Sequence, residues 1–101
     1  LIYIMGVFAD KDYDAVLQKT AHFAQKIFTI QTPDNPRALP AEELARAARK
    51  YNSSAESTES IQEAVNKALT LAKEEDVILA FGSLSFIGEL TKAVQDEKNR
   101  N

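Results

Sequence analysis

An ammonium, a guanidinium and two hydroxyls stand along this chain where a fold could gather them around an anion. The ammonium is Lys11, set between carboxylates in the run Asp10-Lys11-Asp12. The hydroxyls are Ser83 and Ser85, which follow Gly82. The guanidinium is Arg37, in a loop that also holds Pro33 and Pro36. Lysine offers a compact point charge on a flexible stem, suited to a carboxylate or phosphate. Serine hydroxyls and neighbouring backbone N–H groups add hydrogen bonds to the same kind of ligand. The set describes a receptor for an amino-acid-like anion rather than a reaction centre. The chain has no cysteine and a single histidine, His22, which excludes thiolate chemistry and a histidine metal site. It contains no Gly-x-Gly-x-x-Gly pattern, no phosphate loop and no nucleophile–His–acid set. Each candidate also has a plainer reading. Asp10-Lys11-Asp12 suits a solvated loop with a helix N-cap, Ser85 suits a helix cap, and Arg37 suits a surface position.

Whether these groups can meet depends on the elements that carry them. Val77 to Phe81 is an uninterrupted apolar run, as expected of a strand covered on both faces in a parallel sheet. Gly82 and Ser83 interrupt it, and Phe86, Ile87, Leu90, Ala93 and Val94 then recur at helical spacing. That predicts strand, small-residue turn and a last helix from about Ser85 to Glu97. Leu1 to Phe8 is a second apolar strand, with Gly6 permitting a close backbone approach. A chain that opens inside a buried strand suggests natural sequence before it.

Between these two strands the spacing predicts a helix from about Asp12 to Gln25, with His22 exposed or in a helix contact. A strand over Ile27 to Ile30 follows, then a loop over Gln31 to Leu39. Pro40 suits the first turn of the next helix, whose buried stripe is Leu44, Ala47, Ala48 and Tyr51. Arg49 and Lys50 lie at its negative end. Ser53 to Glu56 is short and polar, fit only for an edge strand. Ser60-Ile61-Gln62-Glu63 is a capping box that opens a helix burying Ile61, Ala64, Val65, Ala68 and Ala72.

The pattern is βα repeated over the chain. Crossovers of this length imply a mainly parallel, open Rossmann-like sheet with helices on both faces. The polar strand should lie outermost and the two most apolar strands should be central and adjacent. The expected order is 3-2-1-4. The switch point then falls between strands 1 and 4, where ligands bind in open α/β sheets. The loops there are Ala9 to Tyr13 and Gly82 to Phe86, which hold Lys11 and both serines.

Composition bounds the partners. The 101 residues allow one domain, and 45% apolar with 27% charged content supports a packed core. A net charge of −3 without a basic cluster argues against nucleic acid. No apolar run is long enough to span a membrane and no secretory leader precedes the first strand, so a cytoplasmic location is expected.

Three blocks carry a family resemblance. GVFADKDYDAVL resembles the first block of the C-terminal glutamate-ligase domain of folylpolyglutamate synthases, including the bifunctional dihydrofolate synthases. NPRALPAEEL resembles that family's Pro-Arg-Ala block and DVILAFGSLSFIGEL its Gly-Ser-Leu block, in family order. The C-terminal domain of Mur ligases is similar at greater distance. The resemblance implies an enzyme that uses ATP and Mg²⁺ to activate the γ-carboxylate of folate or tetrahydrofolate as an acyl phosphate, which the amine of L-glutamate attacks. It implies that Lys11 pairs with a glutamate carboxylate, that Ser83 and Ser85 line the glutamate pocket, and that Arg37 belongs to the substrate side. Asp10 and Asp12 fall on the cofactor side. An N-terminal phosphate-loop ATPase domain of the same chain would carry most ATP and metal contacts. The family's Asp-Gly-Ala-His-Asn block is absent here, so residues 1–101 are expected to form one such domain, truncated at its N-terminus. Alone, it should bind no cofactor and catalyse nothing. The alternatives are a receiver-like or generic α/β signalling or interaction domain, with Asp10 and Ser83 mimicking two of the residues a receiver needs, and a small-ligand binding protein.

Overall fold

The computed structural model describes residues 1–9, 12–32, 36–73 and 76–82. Strand β1 (Ile2–Gly6) is followed by α1 (Tyr13–Thr20), β2 (Lys26–Thr29), α2 (Ala41–Ala48), β3 (Ala55–Ser57), α3 (Ile61–Leu71) and β4 (Ile78–Gly82). The strands form one sheet in the order β3-β2-β1-β4, with every neighbouring pair parallel. This is the order expected from strand polarity. The last helix expected from Ser85 lies outside the described residues.

Alternation along β1 divides the core in two. Tyr3 and Met5 pack with Leu17 of α1 and Leu44, Ala47 and Ala48 of α2 on one face. Ile2 and Ile4 pack with Ile61, Ala64, Val65 and Ala68 of α3 on the other. Successive residues of a strand point to opposite faces, so all five residues of β1 are buried.

Several boundaries differ from the sequence reading. The first helix does not run to Gln25 but tightens at Thr20 into a 3₁₀ turn over Ala21–Phe23. Thr20 donates its hydroxyl to the Val16 carbonyl at 2.7 Å, and Tyr3 reaches across to donate to the Thr20 carbonyl at 2.9 Å. Pro40 is the N-cap of α2, with an extended backbone, rather than a first-turn residue. The second and third strands are each displaced by one or two residues. The largest correction concerns β4. It pairs with β1 as the expected order requires, but it is not covered on both faces: Val77 and Leu79 are 56% and 45% exposed. An unbroken apolar run therefore did not mean burial on both faces here.

The edge at β3 is closed by side chains. Arg49, just past α2, donates from Nε to the Ala55 carbonyl at 3.0 Å and from a terminal nitrogen to Glu42 at 3.1 Å. Glu42 also accepts from the Ser57 hydroxyl at 2.8 Å. These contacts occupy a backbone acceptor and place charge along an edge open to unwanted strand pairing. On the α3 side, Glu56 receives Lys67 at 2.6 Å and Lys26 at 3.0 Å.

Both carboxyls are held below the usual glutamate range. The Lys67 and then the Lys26 ammonium do so for Glu56, and the Ser57 hydroxyl followed by Arg49 for Glu42. A carboxyl with a lowered folded value stabilises the fold above its unfolded value. That contribution is lost as pH falls through the lowered folded value. Melting temperature should therefore fall on acidification from neutral, and less so for Glu56→Gln. Because the variant lacks the charge, it should start lower at pH 7 and converge on wild type in acid. Parallel curves across the acid range would refute this.

Candidate functional site

The carboxyl ends of β1, β2 and β4 build the candidate site. In the β1–β4 pair, Gly6 stands opposite Gly82, so neither backbone carries a side chain there. Beyond Gly6 the chain continues extended, and Phe8 makes an isolated antiparallel bridge with Ala38. The Ala9 amide donates to the Arg37 carbonyl at 2.8 Å and the Leu39 amide to the Val7 carbonyl at 3.0 Å. Those two bonds flank Phe8 and Ala38, fixing the register between the loop after β1 and the loop after β2. The Arg37 guanidinium lies over the Phe8 ring at 5.1 Å from its centroid.

The second loop is anchored behind this ribbon by buried threonines. Thr29 donates to the Ala41 carbonyl at 2.7 Å, tying the end of β2 to the start of α2. Thr58 donates its hydroxyl to the Thr29 carbonyl at 2.8 Å, tying β3 to the same point. The start of α1 is held separately. Asp12 caps it by accepting from the Ala15 amide at 3.3 Å. Asp14 accepts from the Tyr51 hydroxyl at 2.9 Å, with Lys50 at 3.7 Å from its other oxygen. The Asp14 bond raises the Tyr51 phenol above its ordinary value, so it remains a donor.

Of the residues expected from sequence, the structure places Arg37 on the ribbon and Asp12 at the head of α1, both at the carboxyl edge. Asp10, Lys11, Ser83 and Ser85 lie outside the described residues. Phe8 was not foreseen, because it reads in sequence as the end of an apolar strand. Nor were the Tyr51–Asp14 and Thr58–Thr29 ties, which join residues far apart in the chain. The described groups at this edge are thus the Gly6–Gly82 pair, the Phe8–Ala38 ribbon with Arg37 on it, and the Asp12 cap. Among the described residues no group of three or more His, Cys, Asp or Glu could hold a metal ion, so no ligand of a metal is assigned to them. Among the same residues no helix is long and apolar enough to cross a membrane.

Residues 1–84 match the family model described as the glutamate ligase domain of Mur ligases. No curated protein sequence matches significantly. Among solved structures, Mycobacterium tuberculosis folylpolyglutamate synthase complexed with ADP and AMPPCP is similar at 25% identity over 92% of this chain, with a TM-score of 0.78. E. coli FolC in complex with DHPP and ADP superposes over 97% of this chain at 22% identity and a TM-score of 0.75. Folylpolyglutamate synthase from Thermotoga maritima covers 95% at 18% identity and a TM-score of 0.69. The last two show likeness of fold alone. The chain spans 23% of the mycobacterial and E. coli chains and 21% of the Thermotoga chain.

Proposed function

The chain belongs to the Mur ligase glutamate ligase domain family, and from that premise we propose that it is the glutamate-binding C-terminal domain of an ATP-dependent folylpolyglutamate synthase. What supports this most directly is the ribbon that brings Arg37 to the loop leading into Lys11. A cation whose backbone is tied to the end of β1 suits a carboxylate of the substrate. The likeness to the mycobacterial synthase across most of the chain supports the choice of folate over other Mur ligase substrates. The family match removes the support for a receiver-like domain.

In this proposal ATP phosphorylates the γ-carboxylate of a folate. The amine of glutamate then attacks the acyl phosphate, forming the amide and releasing phosphate. Phosphoryl transfer and Mg²⁺ belong to an N-terminal phosphate-loop domain of the same cytoplasmic protein. This domain orients glutamate. Lys11 pairs with one carboxylate, Arg37 provides the second cation, and Ser83 and Ser85 donate hydrogen bonds. Asp10 and Asp12 lie toward the nucleotide, with Asp12 also capping α1. The domain alone is expected to be inactive.

The test is Lys11→Met in the full-length ligase. A charged hydrogen bond contributes roughly 1.5–3 kcal/mol, so KM for glutamate should rise about tenfold to hundredfold while KM for ATP changes little. Methionine keeps much of the aliphatic stem, so a thermal melt should be near wild type. An unchanged glutamate KM in a folded variant would leave Lys11 as a solvated loop charge.

A further inference from the structure

One face of the sheet is bare at β4. Ile78 and Ala80 pack against the core under α3. Leu79 points the other way, to the face of its register partner Tyr3, which packs with α1 and α2. There Leu79 is exposed, as is Val77 two residues earlier. The wall beside them is a flank of α1. Asp14 turns toward the end of α2, where it meets the Tyr51 hydroxyl. Val16 lies about 160° around the helix from Asp14, on the side away from α2. Thr20 and then Phe23 continue that flank at steps of four and three residues. Because α2 packs over β2 and β3, the far flank of α1 looks out over β1 and β4. Val16 and Phe23 are both exposed on it. Val77 and Leu79 thus floor an apolar trough whose wall is Val16 and Phe23, a contiguous patch of the kind that marks an interaction surface.

The chain itself carries a matching cover. Residues 83–101 follow β4, and Phe86, Ile87, Leu90, Ala93 and Val94 recur there at helical spacing. A helix of residues 85–97 would be about 20 Å long. A five-residue strand spans about 17 Å, so such a helix reaches back along the whole of β4. The opposite face of that strand is already taken by α3. We infer that the trough is the seat of residues 85–97, which lay this apolar stripe on Val77 and Leu79 and against the flank of α1. Seated there, the segment starts at the carboxyl edge, so the trough also sets where Ser83 and Ser85 are held.

The test compares Leu79→Cys with Leu69→Cys in the full-length protein, with each label located by peptide mass spectrometry. Leu69 on α3 is 40% exposed and Leu79 is 45% exposed, so without a cover the two cysteines should react with a maleimide at similar rates. With residues 85–97 seated, Leu79→Cys should react at least about tenfold more slowly, the factor set by a segment that is open a tenth of the time. Leu90→Glu puts a charge into the stripe and should return Leu79→Cys to the rate of Leu69→Cys. In the same background Ala64→Cys, buried in the other core cluster, should stay protected. Val77→Cys repeats the measurement if Leu79→Cys does not fold. A benzophenone on Phe23→Cys should crosslink on illumination to a peptide within residues 85–97 of the same molecule. Equal rates, protection that survives Leu90→Glu, or a crosslink to any other segment or to a second copy would each overturn this seat.

Discussion

Gly6→Val should lower the stability of this chain by about 3 kcal/mol, the upper end of what overpacking costs. A Cβ placed on Gly6 would overlap Ile30 Cδ1 and come within 3.0 Å of Ile30 Cγ1 and 3.3 Å of the Ile30 carbonyl oxygen. Ile30 cannot swing aside into solvent. Its exposure is 0%, it packs among Ile2, Ile4 and Val65, and its amide is bonded to the Met5 carbonyl at 2.8 Å. Relief would require moving the extension of β2 away from β1, which are paired along their length. For a domain of this size the loss should appear as a melting temperature lower by about 10 °C or more. A second variant isolates the cause. Gly6→Ala should be destabilised less than Gly6→Val, and Ile30→Val, which deletes the overlapping Cδ1, should recover part of the Gly6→Ala loss. Strict additivity of Gly6→Ala and Ile30→Val would show that their contact is not the source of strain.

Gly6 also shows where sequence reasoning reached and where it stopped. A glycine inside an apolar strand signals a close approach, and that much was legible. The approaching group, the Ile30 side chain, was not, because pairing partners are set by the whole sheet. Strand order was readable from polarity. The three residues of β3 are polar enough to tolerate an edge, whereas β1 has five apolar or glycine residues in a row. The same reasoning placed β4 beside β1 but overstated its cover. Its apolar run looked central, yet Leu79 is 45% exposed beside a fully covered β1. Composition reports what a strand tolerates and not how many neighbours it has.

For the site, the positions of Arg37 in the loop after β2 and of Asp12 at the head of α1 were legible. The Phe8–Ala38 bridge was not, since residues 30 apart carry no shared period. Arg49 was legible as a helix-terminal cation. Its bond to Ala55 at the sheet edge depends on where β3 lies, which no local pattern records.

Asn52→Ala should cost about 2–4 kcal/mol, more than an exposed polar residue usually does, because its amide group serves both ends of a junction. The Asn52 Nδ2 donates to the Ala21 carbonyl at 2.8 Å and to the Ala24 carbonyl at 2.7 Å. These carbonyls belong to the 3₁₀ turn that ends the first helix and to the residue after it, where chain ends leave acceptors short of partners. Its Oδ1 accepts from the Ser54 amide at 3.0 Å, and the Ser54 hydroxyl donates onward to the Gln25 carbonyl at 2.9 Å. One side chain thus joins the α2–β3 connection to the turn that feeds β2. Because both Nδ2 contacts are carbonyl oxygens, only the orientation with nitrogen toward them is compatible. That fixes a sharper test than truncation. Asn52→Asp keeps size and shape, loses both donors and sets a carboxylate against two carbonyl oxygens. At pH 7 it should therefore be less stable than Asn52→Ala in urea unfolding, although it is the closer isostere. If Asn52→Asp unfolds at the wild-type urea midpoint, the two carbonyls are satisfied by other groups and the junction does not depend on this amide.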